Sequence, residues 1–378
     1  MNFFNFDRRL LKNADWLLIG IIIICLIVSS FMIYSASRDL VEGEPYYYIV
    51  RHLLAMTLGI ILFIVSALVD YSIWKYFNRW IYGIMIGLLI LVLFLGREGN
   101  YGGQSWIPLG PLSLQPVELA KIMLSLTLGK LLVNEDRLKS ITCLGPLLLL
   151  VMVPLGLVLL QPDLGSGLVL LAIWLGMVFV AGLDWRYIVG TIAAGCAAVP
   201  FLWSKLEEYQ KLRLMVFTNL EYYKTNSAYA KYTWQLIQSI IAIGSGRLWG
   251  KGFLQGTQTQ LEFLPEKQSD MIFSSLAEEF GFFGATLMIV LYLILIYRIF
   301  YIGYHAEDRY GKLICAGIGS MLLFHLLVNV GMTLGVMPVT GIPWPLMSYA
   351  SSNLMAVLWG LGIVTSVAMR SNKTLFHN

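Results

Sequence analysis

The residues of this chain that could do chemistry gather in a few short stretches rich in proline and glycine. Asp270 stands in Leu264-Pro265-Glu266-Lys267-Gln268-Ser269-Asp270, just before a long apolar run. Ser269 or Asp270 could cap the helix that this run must form. A carboxylate at a partly dry boundary can also keep its proton to higher pH and act as a general base. Glu118 and Lys121, in Gln115-Pro116-Val117-Glu118-Leu119-Ala120-Lys121, share one face of a helix. They are either an ion pair holding helices together or part of a substrate site, because charge within an apolar span is costly and often functional. Asp163, in Gln161-Pro162-Asp163-Leu164-Gly165-Ser166, is a helix cap or a ligand. Trp106 lies in Gly102-Gly103-Gln104-Ser105-Trp106-Ile107-Pro108-Leu109-Gly110, which reads as a turning, re-entrant loop. It is an interface anchor or a surface on which a sugar or lipid head could stack.

Two further stretches have the composition of a site. Ile243-Gly244-Ser245-Gly246-Arg247-Leu248-Trp249-Gly250-Lys251-Gly252 is glycine-rich and basic. Its backbone N–H groups, with Arg247 and Lys251, could cradle a phosphate, most naturally an anionic lipid headgroup, since no Walker pattern is present. The alternative is a flexible hinge. Asn329-Val330-Gly331-Met332, Pro338-Val339-Thr340-Gly341-Ile342-Pro343-Trp344-Pro345 and Ser348-Tyr349 carry proline and glycine dense enough to break a membrane helix. Irregular backbone of that kind is tolerated only against protein or a polar cavity, so it reads as one wall of a site or as a gate. Glu278 and Glu279, about two turns beyond Asp270, make internal contacts or bind a cation.

The elements that must position these residues are membrane helices. Of the 378 residues 58% are hydrophobic and 13% charged, with mean hydropathy +0.74, which excludes an ordinary soluble globule. Apolar runs at 16–35, 51–69, 80–96, 117–133, 141–160, 166–183, 186–203, 271–297, 313–333 and 344–368 predict an all-α polytopic fold of about ten transmembrane helices. The first run lacks a small-residue cleavage pattern after it and reads as a retained helix. Basic residues favour one side: Arg8, Arg9, Lys12, Lys75, Arg79, Arg137, Lys139, Arg186, Arg298, Arg309, Lys312, Arg370 and Lys373, against Arg38, Arg51 and Arg97 in the short loops opposite. Positive-inside orientation then makes both termini cytoplasmic. The whole of 1–378 forms one membrane domain, with a large extracellular loop, 204–270, between helices 7 and 8. Within that loop 206–220 and 229–244 predict helices at the membrane surface. Cys25, Cys143, Cys196 and Cys315 all fall in apolar runs and read as small hydrophobes.

Taken in order, GGQSWIPLG, QPVELAK, QPDLGS, AIGSGRLWGKGFLQGTQ, LPEKQSDMIF and NVGMTLGVMPVTGIPWPLMSY resemble the SEDS family (shape, elongation, division and sporulation), along nearly the whole chain. GTQTQLEFLPEKQSD leans toward the elongation branch, RodA, and away from the division branch, FtsW. The departures are Gln104-Ser105 where arginine often precedes the tryptophan, QPVE for QPSE, and YASSN at 349–353 for YGGSS, where Ala350 replaces a glycine. The resemblance implies a peptidoglycan glycosyltransferase that polymerises lipid II into β-1,4-linked strands during elongation, with inversion, at the outer face of the bacterial cytoplasmic membrane. It implies that Asp270 is the catalytic base and that Trp106, Glu118, Lys121, Asp163 and Ser269 serve substrate binding. Lys121, Arg213, Arg247 and Lys251, or a divalent cation such as Mg2+ or Mn2+, would neutralise the leaving pyrophosphate; no other cofactor is implied. The implied partners are a class B penicillin-binding protein, a transpeptidase, and other membrane proteins of the elongation complex, with no nucleic acid. The rival readings are a lipid II flippase and a non-catalytic scaffold for the transpeptidase.

Overall fold

A computed structural model describes residues 12–98, 104–134, 144–205, 208–219 and 230–371. The longer helices are α1 (Trp16–Ser37), α2 (Tyr47–Leu68), α3 (Asn78–Leu95), α4 (Pro116–Leu132), α5 (Leu144–Leu159), α6 (Leu164–Val180) and α7 (Trp185–Lys205). They continue with α8 (Glu208–Thr218), α9 (Ala230–Gly246), α10 (Ile272–Tyr304), α11 (Arg309–Thr333) and α12 (Ser351–Arg370). A helix stands at each predicted span, and α8 and α9 occupy the two stretches expected within the long loop. Among the described residues six helices, α1, α2, α3, α10, α11 and α12, are long and apolar enough to cross a membrane, with α5 and α6 shorter and apolar. The protein is a polytopic helical membrane protein.

Burial separates the inner helices from the outer ones. α12 has 89% of its apolar window buried and α11 72%, against 22% for α2 and 28% for α3. The outer helices therefore turn wide apolar faces to lipid, where satisfied backbone makes such exposure cheap. α12 packs on α2, α4, α10 and α11. The α2–α12 contact needs Gly362: a Cβ there would stand 2.0 Å from Ser66 Oγ and 2.4 Å from the Phe63 carbonyl. Close backbone approach through small residues is the usual way membrane helices gain packing energy.

Ion pairs tie the helix ends at the basic-rich side. Arg298 binds Asp15 at 2.5 Å, Lys75 pairs with Asp308, and Arg370 approaches Asp70 at 3.7 Å. Asp15 and Asp308 also cap α1 and α11, accepting from Leu18 N and Gly311 N. The irregular, site-like segments all lie at the opposite helix ends.

Three expectations are corrected. The stretch read as a re-entrant loop forms a small antiparallel sheet: β1 (Arg97–Glu98), β2 (Gln104–Leu109) and β3 (Leu112–Leu114), with Ile107 opposite Leu114 and Arg97 opposite Trp106. Gly110, at φ +64, supplies the tight turn. Gly102 and Gly103 lie outside the described residues, as do Arg137, Lys139 and Cys143. The last span begins at Ser351 and not at 344, because prolines 343 and 345 lack N–H groups and bias their predecessors away from helix. Neither Ser269 nor Asp270 caps α10; its N-cap is Met271, without a side-chain cap.

Candidate functional site

Asp270 sits on a turn folded around Glu266. The Glu266 carbonyl accepts from Ser269 N and Met271 N, both at 3.1 Å, and its side chain accepts from Ser269 Oγ at 3.0 Å. Glu266 adopts φ +52, the left-handed region that is costly for a residue with a side chain, and such strain clusters at functional positions. The turn is pinned from below: buried Lys267 donates to the Thr259 carbonyl at 2.6 Å, and burial holds its pKa below the ordinary lysine value.

The carboxylate of Asp270 faces a cavity of about 470 Å3. Trp106 from β2, Asp163 ahead of α6, Arg213 from α8, and Ser269 and Asp270 from the turn line it together. Among the remaining lining residues are Tyr48, Gln115, Gln161, Gln210, Glu266, Gln268, Tyr349 and those of the 338–343 strip. Gly341, at φ +75, lets that strip come in close: a Cβ there would lie 3.4 Å from Asp270 Oδ2 and 3.6 Å from Arg213 Nη1. Burial pushes the Asp270 carboxyl up to about 7; the charges of Glu266 and Asp163 push the same way and Arg213 opposes them. Such a group gains and loses a proton near neutral pH, as a general base must.

Asp163 is a helix cap that also stands on the cavity wall. Its Oδ1 accepts from Ser166 N at 2.9 Å, capping α6, and its Oδ2 accepts from Gln115 Nε2 at 3.1 Å at the cavity wall. Glu118 and Lys121 lie outside the cavity. They are 3% and 1% exposed and bonded to each other at 2.9 Å. Asn353 Nδ2 donates to the other Glu118 oxygen at 2.7 Å. Lys121 Nζ lies 3.4 Å from His325 Nε2, and His325 Nδ1 lies 3.0 Å from the Pro343 carbonyl. Since ammonium only donates and a carbonyl only accepts, the imidazole between them carries its proton on Nδ1. The ion pair thus reaches the cavity wall at Pro343 by way of His325, a residue the sequence did not single out.

Arg247 and Lys251 belong to another region. α10 kinks at Gly281 (φ +68, ψ −168), which orphans backbone groups on both sides of the kink. The glycine-rich loop takes them up. Lys251 N donates to the Glu278 carbonyl at 3.0 Å and Gly252 N to the Glu279 carbonyl at 2.9 Å. In return Phe282 N donates to the Arg247 carbonyl at 2.8 Å and Phe283 N to the Leu248 carbonyl at 3.2 Å. Gly250 N is also used, by the Gly246 carbonyl at 2.8 Å. The expected phosphate cradle is therefore corrected: Gly250, Lys251 and Gly252 spend their N–H groups on backbone. Lys251 Nζ binds Glu278 Oε1 at 2.7 Å, and Glu279 pairs with Ser35. Among the described residues no group of three or more His, Cys, Asp or Glu side chains is arranged to hold a metal ion.

Several cavity residues escaped the sequence reading. Gln115, Glu266 and Gln268 stand inside stretches already singled out, so their neighbours were the available signal. Tyr349 stands in the Ser348-Tyr349 stretch read as a site wall, while Tyr48, whose ring meets it edge to face at 5.0 Å, carried no signal.

The FtsW/RodA/SpoVE family model, described as cell cycle protein, matches residues 15–373. The chain is 35% identical to peptidoglycan glycosyltransferase MrdB of Escherichia coli K12, over 94% of this chain and 93% of that one. It is 31% identical to peptidoglycan glycosyltransferase RodA of Treponema pallidum, covering 96% and 99%. Among solved structures it is similar to a chain of a peptidoglycan synthase complex that coordinates polymerization and crosslinking, with TM-score 0.80, 31% identity and coverage of 95% and 99%. It is also similar to the rod shape determining protein RodA of Thermus thermophilus, with TM-score 0.69, 31% identity and coverage of 94% and 96%.

Proposed function

The chain belongs to the FtsW/RodA/SpoVE family, and from that premise we propose how this peptidoglycan glycosyltransferase of the RodA type works. The substrate is lipid II, and the reaction extends a β-1,4-linked glycan strand during elongation. The observation that carries this reading is the placing of Asp270 and Arg213 on one cavity wall, at the end of the bundle away from the basic-rich side.

The donor is a glycan chain α-linked to lipid pyrophosphate, and the acceptor is a lipid-linked sugar with a free 4-hydroxyl. Asp270 takes the hydroxyl proton as that oxygen attacks the anomeric carbon. The bond from carbon to the pyrophosphate oxygen breaks, its electron pair leaves with the pyrophosphate, and attack from the opposite face inverts the centre. A general base of this kind contributes about 10²–10⁴-fold to the rate. Pyrophosphate leaves without a proton if its charge is met, and Arg213 stands where it could meet it. A divalent cation such as Mg2+ or Mn2+, held by one or two carboxylates and the phosphate oxygens, would supply the same neutralisation; no step is routed through it. Trp106 offers a stacking face to a sugar ring, and Ser269, Gln115 and Asp163 offer hydrogen bonds.

The positive-inside bias supports a cytoplasmic location for both termini, and hence a cavity open at the outer face of the cytoplasmic membrane. The likeness to a chain of a synthase complex supports pairing with a crosslinking enzyme, a class B penicillin-binding protein, within a larger elongation assembly. The test is glycan synthesis from labelled lipid II by the purified chain with that partner. Wild type yields ladders on a gel, and a folded Asp270→Asn protein yields none. Ladders from both would move the base elsewhere. None from either would make lipid II transport in liposomes the reading to pursue.

A further inference from the structure

Asn329 is fully buried on α11 and has no place on the cavity wall, yet it reaches two segments that do. Its Nδ2 donates to the Asp270 carbonyl at 3.0 Å and to the Ile342 carbonyl at 2.8 Å. Both partners are carbonyl oxygens, which only accept, so the amide orientation follows from them. Asp270 lies just ahead of the N-cap of α10, and Ile342 lies in the irregular strip before α12. Neither has a helical ladder to fix its backbone, and a buried carbonyl must find a donor elsewhere. One side chain supplies it to both. The two residues next in line are the ones that matter to the cavity: the Asp270 carboxylate itself, and Gly341, whose Cα faces it. A second tie runs alongside, from Tyr349 N to the Gln268 carbonyl at 2.8 Å.

The geometry assigns Asn329 as a positioning residue for the transfer reaction, clamping the Asp270 turn and the 338–343 strip at a fixed spacing. The assignment rests on the reading of Asp270 as the base. The residue type is specific: aspartate has no donor, serine is too short to reach both carbonyls, and leucine fills the space without bonding either. A displacement of about 1 Å at the base can cost about 10²-fold in rate.

The test pairs kinetics with hydrogen exchange on the full chain and its crosslinking partner in lipid nanodiscs. Asn329→Leu and Asn329→Ser are expected to lower kcat by about 10–100-fold while KM for lipid II stays within about twofold. Amides of 264–271 and 338–349 should exchange faster than in wild type, with α10, α11 and α12 otherwise unchanged. Asn329→Gln, which keeps the donor, should recover part of the rate. Unchanged exchange in both segments, faster exchange throughout the chain, or an effect on KM alone would each overturn the assignment. If Asn329→Leu does not fold, Asn329→Ser carries the same comparison. Asp270→Asn serves as the control: its exchange should match wild type, and if it still makes glycan the reading of Asp270 fails, while the exchange comparison still decides whether Asn329 holds the two segments.

Discussion

Lys251 Nζ lies 2.7 Å from Glu278 Oε1, and the same carboxylate accepts from Gln258 N, Thr259 N and the Thr259 hydroxyl. A cation that the sequence offers to a phosphate is thereby built into the support of the loop leading to Asp270. Glu278→Ala should cost about 3–5 kcal/mol, because Lys251 and three other donors lose their acceptor. Lys251→Met should cost about 1–2 kcal/mol, since the carboxylate keeps its other partners and Lys251 is partly exposed. Thermal melts report both. KM for lipid II in Lys251→Met should stay within about twofold of wild type; a large rise would return Lys251 to the substrate site.

The rate of glycan synthesis should rise with pH through a limb near 7, because Asp270 must lose its proton to act and its carboxyl is pushed up to about 7. Burial is the main cause, and Glu266 adds to it. Glu266→Gln removes a negative charge, favours the ionised form and should move the limb to lower pH. Arg213→Gln removes the opposing cation and should move it to higher pH. pH–rate profiles of the three proteins check the signs, and a limb indifferent to both changes would mean that a different group is titrating.

Gly341→Ala should hurt catalysis more than folding. The left-handed backbone at φ +75 costs a residue with a side chain about 1–2 kcal/mol. The new methyl would also enter the space between Asp270 and Arg213, at 3.4 and 3.6 Å. Gly250→Ala should do the reverse. Its Cβ would stand 2.1 Å from the Glu279 carbonyl, so the loop could not dock on the α10 kink, and the loss should show in the melt and the yield of folded protein.

Glu118→Gln and Lys121→Met should each destabilise by about 3–5 kcal/mol, since each leaves the other charge buried without its partner. The double variant should cost less than the sum of the two, because no unpaired charge remains. Melting of the four proteins in one lipid system measures the difference. Additive losses would show that the two residues do not act as a pair.

The membrane fold was legible in the chain because hydrophobicity is a local, additive property. Each apolar run had to be a helix in lipid whatever its neighbours did, so α1 through α7, α10 and α11 fall on the runs that predict them. The hairpin at 104–114 and the non-helical stretch at 344–350 depart from what composition predicts, because there apolar composition and backbone conformation part company: Gly110, Pro343 and Pro345 decide the latter.

The sequence by itself determined that the chain crosses a membrane many times, that its polar groups collect at one set of helix ends, and that Asp270 stands at a boundary where a carboxylate could be a base. Only the tertiary structure decided which of those polar groups share a cavity. Trp106, Asp163, Arg213 and Asp270 come from separate elements and meet there, while Glu118 and Lys121, equally well placed by spacing, are used up in a buried pair and Lys251 in a half-buried one. The physical reason is that spacing can bring Glu118 and Lys121 onto one helix face, but the partners that complete such pairs, Asn353 and His325 for these two and Glu278 for Lys251, come from other segments whose approach no local pattern encodes. The same holds for Asn329: nothing in its neighbours along the chain announces that its amide binds the carbonyl of Asp270, 59 residues away.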